Sequence, residues 1–168
     1  MSAKNAVDGR TINSGQSCIA AKRFIVTRKV SDEFSKKFAE YTNALVVDDP
    51  TDTKTDVGPL VNKEGLMQIE AQVADAVSKG ANVMAGAERL KRKGYFYKPT
   101  VLKNVKSNMK VVTEEVFGPV APVIVVSNEE EALNVANNSE FGLGAAVWTK
   151  NTENGLKIAK RIEAGDVF

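Results

Sequence analysis

Runs of β-branched residues alternate with stretches of helical period along this chain, and the alternation limits the fold more than any other feature. A strand, a helix of about ten residues or more, and a second strand read as a βαβ unit. Such units build a mainly parallel sheet with helices on both faces. Val120–Val126 is the most β-prone stretch, and further strands are expected at Arg23–Thr27, Asn82–Ala85, Ala145–Thr149 and from Asp166 onward. Tyr97–Leu102 is expected at a sheet edge, because Pro99 cannot donate to a ladder. No internal repeat, low-complexity tract or linker interrupts the pattern, so one α/β domain over residues 1–168 is the reading.

The helices announce themselves by caps and stripes. Lys4–Thr11 reads as the tail of a helix with Ala6 and Val7 inward, and a short helical turn is expected at Ile19–Lys22. Ser31 is expected as an N-cap with Asp32 and Glu33 in the first turn, ahead of an apolar stripe of Phe34, Phe38, Tyr41 and Leu45. Asp48-Asp49-Pro50 should stop that helix. Asn62 caps a second one carrying Leu66, Ile69, Val73 and Val77, with Gly80 as its stop. Asn128 with Glu131 forms a start like a capping box, and Asn151 opens a last helix whose inner face is Leu156, Ala159 and Ile162, ended by Gly165. The segments Asp56–Leu60 and Ala136–Leu143 are expected to be architectural.

Chemistry concentrates at Ile12-Asn13-Ser14-Gly15-Gln16-Ser17-Cys18-Ile19-Ala20, which holds the only cysteine. A lone cysteine is more often a small buried hydrophobe. A thiol on a polar turn that feeds a core strand is also well placed as a nucleophile, since a nearby helix N-terminus or a ring of backbone N–H groups stabilises the thiolate. The chain has no histidine, which removes Cys-His and Ser-His-Asp hydrolases and leaves no expected metal site. Glu114-Glu115-Val116-Phe117-Gly118-Pro119 is a second dense motif; alone it is a charged pair, a buried Phe and a turn into a strand. With 23 basic and 21 acidic residues interspersed, nothing points to nucleic acid or a membrane surface. The basic run Arg89–Lys93 is expected to be a solvated turn. One cysteine, no signal-peptide pattern and no apolar run near the ~20 residues of a bilayer span suggest a cytoplasmic protein.

Asn13, Gly15, Gln16 and Cys18 match the cysteine motif of the aldehyde dehydrogenase superfamily, Asn-x-Gly-Gln-x-Cys. The chain resembles that family over nearly its whole length, most closely its short-aldehyde and succinate-semialdehyde members. The resemblance implies a three-layer α/β/α catalytic domain in which Cys18 attacks an aldehyde and passes through a thiohemiacetal and a thioester. It implies NAD or NADP as cofactor, with Glu115 accepting from the nicotinamide ribose hydroxyls and Phe117 beside the nicotinamide. A carboxylate suits a vicinal diol because both its oxygens accept.

The family's Glu-Leu-Gly-Gly general-base motif and a Gly-x-Gly-x-x-Gly fingerprint after a strand are both missing from these residues. The expectation is therefore a catalytic domain separated from its cofactor-binding and oligomerisation segments, unable to turn over alone or to hold the dinucleotide tightly. The parent would be a homo-oligomer acting on a small aldehyde. Two other readings are an inert folding module that self-associates and a cofactor-independent thiol esterase. Lys22 and Arg23 lie near Cys18 in sequence, and neither is assigned to a substrate carboxylate.

Overall fold

The computed structural model describes all 168 residues. In chain order it comprises α1 (Ser2–Thr11), a 3₁₀ turn (Ile12–Gly15), β1 (Phe24–Thr27), α2 (Arg28–Asn43), α3 (Lys63–Ser78), β2 (Asn82–Ala85), β3 (Thr100–Lys103), α4 (Lys110–Thr113), β4 (Val120–Val126), α5 (Glu129–Asn137), β5 (Gly144–Ala145), α6 (Thr152–Ala159) and β6 (Asp166–Val167). The main sheet has the order β1-β4-β3-β2. β1 and β3 both run parallel to β4, and β2 is antiparallel to β3.

Alternation along the strands sends successive side chains to opposite faces. Val101, Ala121, Val123 and Val26 point into a cluster with Ala3 and Val7 of α1 and Phe38 and Ala39 of α2. Leu102, Val120, Ile124 and Val126 point the other way, against Leu66, Ile69, Val73 and Ala76 of α3, Val111 of α4, and partly buried Ala132 and Val135 of α5. The result is the mainly parallel, three-layer α/β/α arrangement expected. β5 and β6 form a separate parallel pair.

β3 is an interior strand and not the edge that Pro99 suggested. Pro99 lies just before the first ladder residue, so its missing N–H costs no bond, while the Thr100 N–H donates to Pro119 O at 2.8 Å. Pro122 does sit inside β4, where β3 pairs with residues 120–122 and β1 with 123–126. α2 starts at Arg28, three residues before the expected cap, and Ser31 is buried within it with its Oγ donating to Arg28 O. Its inner face is Ser31, Ser35, Phe38, Ala39 and Thr42, with Tyr41 turned outward; the serines, Ala39 and Thr42 let the helix lie close on the sheet around the one large ring. The helix ends at Asn43, short of Asp48-Asp49-Pro50.

Asn62, Asn128 and Asn151 cap α3, α5 and α6 as expected, accepting from the N–H groups of Gly65, Glu131 and Asn154. Val77 of α3 is exposed and Ala76 takes its place inside. The strand expected at Ala145–Thr149 shrinks to Gly144–Ala145, and in α6 only Gly155 is buried, so Leu156 faces outward. Between Cys18 and β1 there is a turn closed by the Ala20 N–H on Ser17 O, and no helix at Ile19–Lys22.

Candidate active site

The cysteine turn and the Glu114–Pro119 loop enter the sheet side by side. The first leads into β1 and the second into β4, and these strands are parallel neighbours, so both segments lie at the same end of the sheet. Backbone holds them together: a Cβ added to Gly15 would fall 2.3 Å from Gly118 O. Asn13, Ser14 and Gly15 adopt φ of 48°, 57° and 75°, three left-handed residues in a row. Asparagine and glycine suit such a path, since one has a short polar side chain and the other no Cβ. Gly118 is tightly packed, since a Cβ there would meet the buried Ile69 side chain at 2.7 Å and push it aside.

Arg10 is the cross-brace that the sequence did not reveal. Its side chain is 2 % exposed, and one guanidinium nitrogen donates to both Gly15 O (2.8 Å) and Val116 O (3.4 Å). Burial pushes its pKa down to about 10, and its Nε and other terminal nitrogen find no partner. The available signal was spacing, since Ala3, Val7 and Arg10 share the buried face of α1. The Asp56–Leu60 segment, read as architectural, grips the same turn. Gly58 N–H donates to Ser14 Oγ at 3.0 Å, and Val61 N–H donates to Gln16 Oε1 at 2.8 Å.

Within this frame Cys18 is exposed. No helix starts at its turn, so the helix N-terminus considered above is not there; α1 instead ends ahead of it. Amide donors are present: the backbone N–H groups of Ser17, Cys18 and Ile19 bond to nothing within the chain. Gln72 Nε2 donates to Glu115 O (2.9 Å) and Glu114 Oε2 (3.1 Å), which leaves the Glu115 carboxylate free and exposed. Phe117 is 41 % exposed, against the expectation of a buried ring for the motif taken alone, because the tight Gly118 contact turns the chain inward only after it.

The two cations near Cys18 in sequence are engaged elsewhere. Arg23 donates to Val135 O (2.8 Å), Ala136 O (2.9 Å) and Asn138 O (3.3 Å), closing the C-terminus of α5. Lys22 Nζ donates to Val112 O at 2.8 Å and sits 4.4 Å from the centre of the Phe141 ring. In the basic run, Arg89 pairs with Glu70 and Arg92 with Asp48, so the turn finds its own acids. A cleft of ≈ 660 Å³ lined by Arg23, Val105, Ile124, Val135 and Phe141, among others, lies on the α4–α5 face, and Cys18, Glu115 and Phe117 stand outside it. No group of three His, Cys, Asp or Glu side chains is placed to hold a metal, and no helix is long and apolar enough to cross a membrane.

Comparison with known proteins gives the family of the chain. The model of the aldehyde dehydrogenase family matches residues 1–168. A succinate-semialdehyde dehydrogenase [NADP(+)] of Mycobacterium bovis is 48 % identical over 163 residues, 97 % of this chain and 36 % of the relative. The enzyme so named from Mycobacterium leprae is 47 % identical over the same length. Among solved structures, succinate-semialdehyde dehydrogenase from Burkholderia pseudomallei superposes with a TM-score of 0.95 at 36 % identity, covering 98 % of this chain and 34 % of that one. Lactaldehyde dehydrogenase from Escherichia coli gives 0.94 at 37 % identity, covering 99 % and 35 %. The chain thus spans about a third of the length of the curated relatives it matches.

Proposed function

Because this chain belongs to the aldehyde dehydrogenase family, we propose that residues 1–168 are the nucleophile-bearing unit of an NAD(P)-dependent enzyme that oxidises succinate semialdehyde or a related short aldehyde. The substrate class follows the names of the relatives, which also favour NADP. The observation that carries the reading is an exposed thiol with free amide N–H groups beside it, on a turn locked to the loop that presents Glu115 and Phe117.

Cys18 Sγ, as thiolate, adds to the aldehyde carbon and gives a thiohemiacetal on the protein. Its oxyanion can accept from the Cys18 N–H; one such donor contributes roughly 3–4 kcal/mol to the rate. A bound dinucleotide would be held at its nicotinamide ribose by Glu115 and at the nicotinamide by Phe117, and would supply the hydride acceptor needed for the Cys18 adduct to become a thioester. Water then cleaves the thioester, releasing the acid and returning the thiol. The residues present fit part of such a cofactor, since the free Glu115 carboxylate offers two acceptors to a diol and Phe117 an apolar ring.

In the native chain, Cys18 is expected to react with iodoacetamide about as fast as in the unfolded chain. Protection of the kind a core thiol enjoys would remove the nucleophile from the reading. In a full-length enzyme carrying this chain, Glu115→Gln is expected to raise KM for the dinucleotide while leaving alkylation unchanged. Equal loss of both would make Glu115 a structural residue.

A further inference from the structure

Lys22 follows the cysteine turn, yet its side chain is spent on a segment ninety residues away. The ammonium is half-buried, bonds the Val112 carbonyl at 2.8 Å and rests over Phe141 at 4.4 Å. Val112 lies in α4, whose last residue, Thr113, leads directly into the run that carries Glu115 and Phe117. That run has two other outside supports on its carbonyls, Gln72 on Glu115 O and Arg10 on Val116 O. Lys22 is therefore one of two side chains that tie the cysteine segment to the loop, and it is the one at the loop's far end. A lysine needed only for solubility would extend its ammonium into water.

We propose that Lys22 is a positioning residue: its bond to the Val112 carbonyl and its seat over Phe141 hold the segment bearing Glu115 and Phe117 in register with the Cys18 turn. The inference rests on the reading of Cys18 and Glu115 given above. The tether also carries a charge that responds to pH. Burial pushes the Lys22 pKa down to about 8; Arg23 and Arg10 push the same way, and Glu115 and Glu114 pull against them. Below pH 8 the ammonium holds both the carbonyl and the ring. Above it the amine is neutral and escapes the cost of burying a charge, so the seat persists: the amine keeps a neutral bond to the Val112 carbonyl while the attraction of the ring face is lost.

The test is a heteronuclear NMR titration of the 168-residue chain. The amide signals of residues 112–116 are expected to move together with the Lys22 side chain, with a midpoint at about pH 8. Lys22→Arg, permanently charged, should hold the low-pH positions throughout. Lys22→Met, which has no donor for the Val112 carbonyl, should displace the signals of residues 112–116 from their wild-type positions at every pH. Amides 112–116 that stay still while the Lys22 side chain titrates, or a Lys22→Met spectrum that overlays the wild type there, would overturn the proposal. The wild-type titration needs no variant, so it decides even where a variant fails to fold. Iodoacetamide labelling separates the two readings: a reactive Cys18 beside a loop that does not titrate removes the role of Lys22 and leaves the function standing. A protected Cys18 beside a titrating loop removes the function and leaves the tether.

Discussion

Asn13, Ser14 and Gly15 take a left-handed path that L-residues rarely follow in succession. Each strained non-glycine residue of this kind costs about 1–3 kcal/mol, so something must hold the turn in place. The holding groups are Arg10 on Gly15 O, Ser14 Oγ with Gly58, and Gln16 Oε1 with Val61. Gly15→Ala combines a disfavoured φ of 75° with a Cβ 2.3 Å from a carbonyl oxygen. It is expected to destabilise the chain by at least about 2 kcal/mol, read from urea unfolding; a loss of a few tenths would mean that the turn is free to shift. Lys22 gives the pH dependence at this scale. Its folded pKa of about 8 lies below the ordinary 10.5, so the unfolded chain keeps a proton that the folded chain has lost between those values. Wild-type stability should therefore rise relative to Lys22→Arg as pH climbs through 8 toward 10.5. Paired urea titrations check the sign, and a falling difference would show that burial is not what depresses the amine. At this scale Cys18, Glu115 and Phe117 could be proposed from the sequence because they belong to compact motifs. Arg10 escaped because a charged residue on an apolar helix face has no local signature of the carbonyls it will meet.

Among the elements, caps were the legible part and strand position the illegible one. Asn62, Asn128 and Asn151 each accept from the N–H three residues on, a local geometry that local sequence encodes. Glu131 completes the α5 start by reaching back to the Ser127 N–H, one residue earlier than a standard capping box. Asn62→Ala is expected to cost about 1 kcal/mol, because α3 supplies Leu66, Ile69 and Val73 to the larger core and its Gln72 holds Glu115 O. Urea unfolding of that variant checks the figure, and an unchanged midpoint would mean that water replaces the cap at no cost. Ser31 misled because a serine before two acids is good cap chemistry, yet tertiary packing drew the helix back to Arg28. β3 misled because whether a strand is interior depends on which neighbours arrive, and Pro99 speaks only of its own N–H. Caps and periodicity did not show that the cysteine turn meets the Glu115 loop, and only the family resemblance implied it: the meeting depends on β1 lying beside β4, a pairing across a hundred residues.

In the whole molecule the core and the apolar surface divide the chain unequally. The main sheet buries its side chains on both faces, whereas the last third leaves Trp148 57 % and Leu156 64 % exposed, with Phe141, Leu143 and Phe168 also open. β5 and β6 pair only with each other, and β1 pairs on one side alone, so unsatisfied strand edges accompany that apolar surface. Surfaces of this kind associate when nothing covers them. Little opposes it here, since a formal net charge of +2 gives weak repulsion between copies. Sedimentation of the 168-residue chain from about micromolar to about millimolar concentration is therefore expected to show a mass rising above 18.1 kDa. Trp148 is the only tryptophan and lies on the exposed surface, so its emission should shift to the blue as association proceeds. Leu156→Lys should weaken both effects without touching the sheet core, because Leu156 buries little in the monomer. A single species of monomer mass at every concentration would mean that β5, β6 and α6 satisfy themselves. Association that survives Leu156→Lys with no change in Trp148 emission would place the sticky surface at a free edge of the main sheet instead, β1 or β2.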